Sequence, residues 1–271
     1  MTRRLTLEWP DRRPFGDRDG EPVRILAVSD VLEPALNDRR NKEAMGSLDL
    51  ILGCGDLDFD DLAYVADSFD APLLYVRGNH DTGERWRRSS GTCPVPMASS
   101  TVMKANGLCI GGLSWPGVHD RESGRSESGA WRQAIALAAR RVGHAEPLLV
   151  ISHVPPAGVG DVPTDAYHRG FSGYAWLLRT LQPRLWLHGH TPLASTPDWH
   201  LRAGPTDVIN VTGAVLIELV PPRLPANEAH DRDNGRAAEM TEAPSDGEST
   251  PARSVTPERW GAVRRGGRLA T

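Results

Sequence analysis

The sequence of 271 residues lacks any apolar run long enough to cross a membrane. A membrane-spanning helix needs about 20 consecutive apolar residues, whereas the longest apolar runs here, at 148–154 and 73–76, end within a few positions. The first twenty residues contain charges and prolines, which leave no apolar core for a signal peptide. We therefore expect a cytoplasmic protein that makes no contact with a membrane.

Cysteine is scarce, and the chain has no excess of positive charge. Cys54, Cys93 and Cys109 are an odd number without the paired spacing of a thiolate metal site, so we expect free thiols. The 31 Lys and Arg residues are outnumbered by 35 Asp and Glu residues, which gives a formal net charge of −4. Non-specific binding to nucleic acid depends on positive potential, so a nucleic-acid partner is not expected.

The sequence does contain a series of short apolar runs of strand length. They lie at Val23–Ser29, 48–55, 72–78, 108–114, 147–153, 183–189 and 208–220. Almost uninterrupted apolar runs are typical of strands that are covered on both faces. Helical periodicity appears between several of them, at 60–69, 129–142 and 173–181. Strands that alternate with helices predict an α/β layered fold.

Composition divides the chain into three parts. Residues 1–22 are polar and are expected to form a flexible N-terminal segment, followed by a folded domain over 23–221. Residues 222–271 are rich in charge, proline and small side chains, so we expect a disordered tail. The charged stretches of this tail are a candidate contact for a protein partner, and a solvated tail is the alternative.

Side chains that can bind a metal ion follow five of the predicted strands. In chain order they are Asp30, Asp56, Asn79, His80, Asp81, His153, His188 and His190. Because the carboxyl ends of neighbouring strands converge on one crevice, these residues are expected to meet. Each one alone is better explained as a turn, capping or core residue, but five strand ends with the same bias indicate a site. Mixed imidazole, carboxylate and amide donors suit Mn²⁺, Fe²⁺ or Zn²⁺ better than Ca²⁺.

The segment His188-Gly189-His190 also predicts a geometry. Residues i and i+2 of an extended strand point to the same side. If the strand continues to His190, both imidazoles face the same crevice.

These segments, in this order, resemble the motifs of the calcineurin-like metallophosphoesterases. The motifs are Ser29-Asp30, Gly55-Asp56, Gly78-Asn79-His80-Asp81, Ser152-His153 followed by Pro155-Pro156, and His188-Gly189-His190. The resemblance covers roughly residues 23–220, and the ordered set is more specific than any single motif. It implies a four-layer α/β sandwich of two mixed β-sheets flanked by helices, with two divalent metal ions at the strand ends. It also implies hydrolysis of a phosphomonoester or phosphodiester through a metal-bound hydroxide. We expect a small phosphoester as the substrate, because the sequence shows no membrane anchor and leaves few residues for a substrate-capping domain.

The resemblance further implies roles for individual residues. Asp56 would bridge the two ions, Asn79, His153 and His188 would complete one metal site, and Asp30 and His190 would belong to the other. His80 would protonate or stabilise the leaving-group oxygen. Asp81 would orient His80.

One position departs from the family pattern, because Leu32 stands where the first motif usually has a histidine. Leucine cannot bind a metal ion, so we expect a weak first site in which Glu33, Asn37 or a water replaces the missing ligand. This departure keeps open a catalytically weakened metal- or phosphate-binding regulatory protein. A nuclease with the same two-metal chemistry is a further alternative, but it should show a basic stripe that the sequence does not show.

Four loop residues are candidate substrate contacts of lower specificity. They are His119, Arg121, His168 and Arg169. Each is equally well explained as an exposed loop residue.

Overall fold

The computed structural model describes residues 2–81, 95–118 and 124–223. The strands within these ranges are β1 (Arg3–Glu8), β2 (Val23–Ser29), β3 (Leu50–Gly53), β4 (Leu73–Tyr75), β5 (Val102–Ala105), β6 (Leu108–Leu113), β7 (Leu148–Ser152), β8 (Leu185–His188), β9 (His200–Ala203), β10 (Thr206–Asn210) and β11 (Gly213–Val220). The helices are α1 (Arg39–Met45), α2 (Phe59–Phe69), α3 (Glu127–Arg141) and α4 (Ser172–Leu181). Two short 3₁₀ turns lie at Arg13–Phe15 and Pro34–Asn37.

The strands form two mixed sheets. The first sheet has the order β1-β11-β2-β3-β4, and the second has the order β5-β6-β7-β8-β10-β9. In the first sheet β2, β3 and β4 are parallel neighbours, and in the second sheet β6, β7 and β8 are parallel neighbours. Each sheet therefore brings the carboxyl ends of several strands to one edge.

The apolar strands are covered on both faces, as their sequences predict. In β2, Ile25 and Ala27 pack between the two sheets, whereas Leu26 and Val28 pack on the outer face against side chains of α1 and α2. A third apolar layer, which contains Trp186, packs the second sheet against α3 and α4. Burial of each large apolar side chain contributes roughly 1.5–3 kcal/mol, so these layers supply most of the driving force for folding. The predicted four-layer α/β sandwich is confirmed.

The prediction of a flexible segment over 1–22 is wrong for its first part. β1 pairs in parallel with β11, from Arg3 opposite Val215 to Glu8 opposite Val220. Leu5 and Leu7 pack against the central layer, and Trp9, which follows the strand, is 1% exposed. The apolar side chains alternate with polar ones because only one face of this edge strand is covered.

Three other elements were not predicted, namely β5, β9 and α1. β5 and β9 are edge strands whose residues are only partly buried, so their sequences lack a continuous apolar run.

The run at 208–220 contains parts of two strands rather than one, because the chain turns at Gly213, where φ is +83°. Only glycine adopts such a backbone conformation without strain.

Other expectations lie partly or wholly outside the described ranges. The predicted tail over 222–271 lies outside them except for its first two residues, and Cys93 also lies outside. Cys54 and Cys109 are buried and free. Within the described ranges, no helix is both long and apolar enough to cross a membrane.

Candidate metal centre

The carboxyl ends of the parallel strands of both sheets line one cavity of about 550 Å³. Its walls include Asp30 after β2, Asp56 after β3, His80 and Asp81 after β4, and His190 after β8. We call this the acidic cavity, because Asp58 and Asp61 at the start of α2 also line it. Thr191, Pro192, Thr212, Leu57, Tyr167 and His168 complete its walls.

His153, which follows β7, lies at the centre of the converging side chains. Its Nδ1 lies 2.8 Å from the backbone oxygen of Cys54, which can only accept, so Nδ1 carries a proton and donates. Its Nε2 lies 3.0 Å from Oδ2 of Asp56 and 3.0 Å from Oδ1 of Asn79. The same atom lies 3.2 Å from Nδ1 of His190. One nitrogen therefore faces three atoms that carry lone pairs.

Tyr167 orients two of these neighbours. The Nε2 of His190 donates to the backbone oxygen of Tyr167 over 2.9 Å, which leaves the lone pair of Nδ1 directed at His153. The amide nitrogen of Asn79 donates to the Tyr167 hydroxyl over 2.7 Å, which leaves its Oδ1 directed at the same point. A single N–H of His153 cannot satisfy three acceptors, whereas a cation at their centre can.

The donor set fits a divalent ion. The ligand atoms of Asp56, His153 and His190 all lie within 4.8 Å of one another, and Oδ1 of Asn79 adds a fourth donor. Two imidazole nitrogens with a carboxylate and an amide oxygen are typical of Mn²⁺, Fe²⁺ or Zn²⁺. The structure thus brings together Asp56, Asn79 and His153 from the predicted set, with His190 beside them.

The pKa values of these groups reflect their burial and their mutual charges. Burial lowers the pKa of His153, but the nearby Asp56 carboxylate outweighs burial and raises that pKa to about 9. Burial raises the pKa of Asp56, but the charge and hydrogen bond of His153 bring it below its ordinary value. Burial, followed by the charge of His153, lowers the pKa of His190 to about 3, so His190 is neutral and presents a lone pair.

His188 does not join this group, contrary to the ligand set expected from the resemblance. Its Nδ1 donates to the backbone oxygen of Gly189 over 3.0 Å, and burial lowers its pKa to about 4. Its Nε2 faces Gly160, where a Cβ would lie only 2.7 Å away. The physical reason is that β8 ends at His188 and His190 has a φ of +67°, so the alternation of an extended strand does not reach His190. His190 therefore lies where His188 was expected.

Three residues of the site adopt left-handed backbone conformations. The φ values are +64° for Asp30, +56° for Asp56 and +67° for His190. Such values cost on the order of 1–3 kcal/mol in non-glycine residues and are concentrated at functional sites. Position 78 requires glycine, because the Cβ of any other residue would lie 2.1 Å from Oδ1 of Asp56.

His80 and Asp81 are adjacent in the loop after β4 but differ in burial. The Nε2 of His80, which is exposed, lies 2.8 Å from the Tyr167 hydroxyl, and its backbone N–H donates to Asp56 over 2.7 Å. Asp81 is buried, and its Oδ2 accepts from the backbone N–H groups of Gly78 and Asp56 over 2.7 and 2.9 Å. The structure shows no hydrogen bond between the side chains of His80 and Asp81, both of which it describes. The expectation that Asp81 orients His80 is therefore not met by this geometry. Burial is the main reason that the pKa of Asp81 is raised to about 6.

Comparison with known proteins identifies the family. A family model described as calcineurin-like phosphoesterase matches residues 23–194. The chain belongs to this family. No curated protein matches it.

Solved structures share the fold of this calcineurin-like phosphoesterase at low identity. The protein TT1561 of Thermus thermophilus is 20% identical with a TM-score of 0.50, over 71% of this chain and 90% of that chain. A dimetal phosphatase from Danio rerio is 12% identical with a TM-score of 0.42, over 71% of this chain and 88% of that chain. At these identities, the likeness to TT1561 shows a common fold.

The Asp30 side of this calcineurin-like phosphoesterase offers few metal donors. The Asp30 carboxylate accepts from the backbone N–H of His190 over 3.1 Å and from the Thr212 hydroxyl over 3.0 Å. Leu32 packs against the apolar layer beneath α1 and α2 instead of the cavity. The expected replacements Glu33 and Asn37 are not among the residues that line the cavity.

Sequence reasoning missed Tyr167. The loop that carries it stands out in the sequence only for its histidine and arginine, and no motif or spacing marks a tyrosine that acts through both its hydroxyl and its backbone oxygen. Its neighbour His168 does line the cavity, with Nδ1 2.5 Å from Oδ2 of Asp165. His119 and Arg121 lie outside the described residues.

Proposed function

We propose that the protein is a metal-dependent phosphoesterase that hydrolyses a phosphomonoester or phosphodiester of a small molecule. Its main cation is held by four residues, namely Asp56, Asn79, His153 and His190. One observation carries this proposal. Metal-binding atoms of all four side chains converge on one point, and hydrogen bonds on the far sides of Asn79, His153 and His190 fix their orientation.

The chain prepares this centre through its own contacts. The backbone oxygen of Cys54 holds the proton of His153 on Nδ1, and the backbone oxygen of Tyr167 holds the proton of His190 on Nε2. Such outer contacts fix the tautomer and raise the basicity of a metal-binding histidine. When bound, a divalent ion supplies Lewis-acid polarisation of the phosphoryl group and a lowered pKa for a coordinated water.

His80 is the residue best placed to act on the leaving group. It is exposed to the acidic cavity, and its Nε2 lies 2.8 Å from the Tyr167 hydroxyl. This contact fixes the orientation of the His80 ring, and a proton can be shared between its Nε2 and the Tyr167 hydroxyl. We assign His80 to proton transfer and not to the metal, because its ring contacts the Tyr167 hydroxyl and, within the described residues, it does not belong to the group that could hold an ion.

A second cation beside Asp30 is proposed to bind weakly. The protein donors available there are the carboxylates of Asp30 and Asp56, and Asp30 already accepts hydrogen bonds from His190 and Thr212. This arrangement supports the expectation of a weak first metal site, which the presence of Leu32 in place of a histidine suggested.

The test is hydrolysis of bis(p-nitrophenyl) phosphate and p-nitrophenyl phosphate by the metal-stripped full chain while Mn²⁺ is added. We expect activity that rises with Mn²⁺, and a loss of roughly 100-fold or more in Asp56→Asn because several kcal/mol of transition-state stabilisation depends on the ion. Asp67→Asn, which changes an exposed aspartate of α2 outside the cavity, is the matched control and should be unaffected.

Two results would contradict the proposal. Activity that persists in Asp56→Asn would come from a contaminating enzyme. Absence of activity with Mn²⁺, Fe²⁺ and Zn²⁺, with one ion bound per chain, would favour the regulatory binding protein.

A further inference from the structure

A second cavity of about 740 Å³ adjoins the acidic cavity. The two share His80 and Tyr167 as a common wall. The far side of the second cavity carries Arg125 and Arg169, and we call it the arginine cavity. Glu127, Asp165, Ala166 and Phe171 complete its lining.

Arg125 is a cation held in a fixed position. Its Nη1 donates to the backbone oxygen of Tyr167 over 2.9 Å, and its Nη2 donates to the backbone oxygens of Arg169 and Gly170. Its guanidinium carbon lies 4.3 Å from the centre of the Phe171 ring. These partners hold the side chain but carry no negative charge, and within the described residues Arg125 forms no salt bridge.

The carboxylates around this cavity are already engaged. Glu127 accepts from the backbone N–H groups of Ser172 and Gly173 at the start of α4 over 2.8 and 3.3 Å. Asp165 accepts from the backbone N–H of Tyr167 and from His168. Neither carboxylate forms an ion pair with Arg125 or Arg169, and the structure describes all four side chains. The guanidinium N–H groups are therefore not taken up by a carboxylate.

Arg169 adds a second positive charge to the wall of this cavity. Its side chain is exposed and forms no hydrogen bond or ion pair with the residues that the structure describes. Burial, followed by the charge of Arg169, lowers the pKa of Arg125, and the charges of Glu127 and Asp161 offset this shift only in part. Two guanidinium groups close together favour an oxyanion between them, because each can donate paired N–H groups to phosphate oxygens.

We propose that the arginine cavity binds a second phosphate group of the substrate while the phosphoryl group to be cleaved lies in the acidic cavity. The substrate class is then a small molecule with two phosphate groups, which spans the wall formed by His80 and Tyr167. This inference rests on the proposed function for its link to hydrolysis. The anion site itself can be tested without catalysis.

The binding test uses pyrophosphate as the probe and the metal-stripped full chain, followed by titration calorimetry. Without a cation, the carboxylates of the acidic cavity repel pyrophosphate, so binding reports on the arginine cavity. We expect Arg169→Gln to weaken binding about tenfold, since a charged hydrogen-bonded contact is lost. Arg169→Lys should recover part of it, and Arg179→Gln, an exposed arginine of α4 outside the cavity, should bind as the wild type does.

The catalytic test compares adenosine 3′,5′-bisphosphate with adenosine 5′-monophosphate in the presence of Mn²⁺. The ratio of their kcat/KM values should exceed one in the wild type and in Arg179→Gln, and it should fall towards one in Arg169→Gln. No saturable pyrophosphate binding by the wild type, or equal binding by Arg169→Gln, would overturn the site. Pyrophosphate binding that depends on Arg169, in a protein that hydrolyses no phosphoester, would instead refute the proposed function and leave the anion site standing.

Discussion

The acidic cavity and the arginine cavity share one wall but present different charged groups to a ligand. The first is lined by five aspartates. The second is lined by two arginines that form no ion pair within the described residues, and by Glu127 and Asp165, which accept hydrogen bonds from backbone N–H groups. A phosphate group is repelled by the first until a cation neutralises it, whereas the second accepts an anion directly. The two tasks that we propose, namely holding a metal ion and recognising a second charged group, therefore fall to separate cavities.

The two cavities also differ in the elements that build them. Apart from His168, the carboxylates and imidazoles of the acidic cavity follow strands of both sheets or begin α2, so rigid elements hold them. The arginine cavity is built from the segment before α3 and the segment before α4. Residues on connecting segments are those through which one scaffold acquires different specificities.

The largest effect is expected from a paired comparison of two histidines of the metal centre. His190→Ala should lose the tightly held ion and roughly 100-fold of activity, because it removes a lone pair from the group of four. His188→Ala should keep the ion, and its cost of about 2 kcal/mol should appear in stability because His188 is 1% exposed. Metal content per chain after dialysis and urea unfolding measure the two effects. Loss of the ion in His188→Ala alone would restore the ligand set that includes His188.

The same pair of histidines separates what the sequence can predict about the site from what it cannot. The apolar run of β2 predicted its bounds, and the five strand ends predicted where Asp56, Asn79 and His153 lie, since both follow from periodicity and topology. The choice between His188 and His190 depends on a left-handed backbone at His190, and no pattern of residue types reveals it. The role of Tyr167 could not be predicted for a related reason. Its backbone oxygen orients His190, and no residue type marks the position of a backbone oxygen that accepts such a hydrogen bond.

A smaller effect is expected at the wall that the two cavities share. Tyr167→Phe removes the hydroxyl that contacts Asn79 and His80 but keeps the backbone oxygen that orients His190. We expect the ion to be retained and kcat to fall about tenfold, the value of one or two hydrogen bonds of about 1 kcal/mol. Tyr64→Phe, which changes an exposed tyrosine of α2, is the control. Unchanged kcat would show that the hydroxyl plays no part in turnover, and loss of the ion would place it among the groups that hold the metal.

The smallest effect is expected at Asp81, in the wall of the acidic cavity. Burial raises its pKa to about 6 in the folded protein, from an ordinary value near 3.8. The folded state therefore binds its proton more readily than the unfolded state does. Its charge destabilises the folded state fully above about pH 6, and this cost disappears as the pH falls towards 4.

Asp81→Asn removes that charge and keeps an oxygen that can accept from Gly78 and Asp56. In metal-stripped protein the variant should be more stable than the wild type at pH 8. The difference should narrow by about 1 kcal/mol at pH 5, because one pKa unit corresponds to about 1.4 kcal/mol. Urea unfolding at the two pH values measures this change, and kcat should stay near that of the wild type. A large fall in kcat with no change in the pH dependence of stability would show that Asp81 acts through His80, as the family resemblance implied, and that its hydrogen bonds to the backbone are secondary.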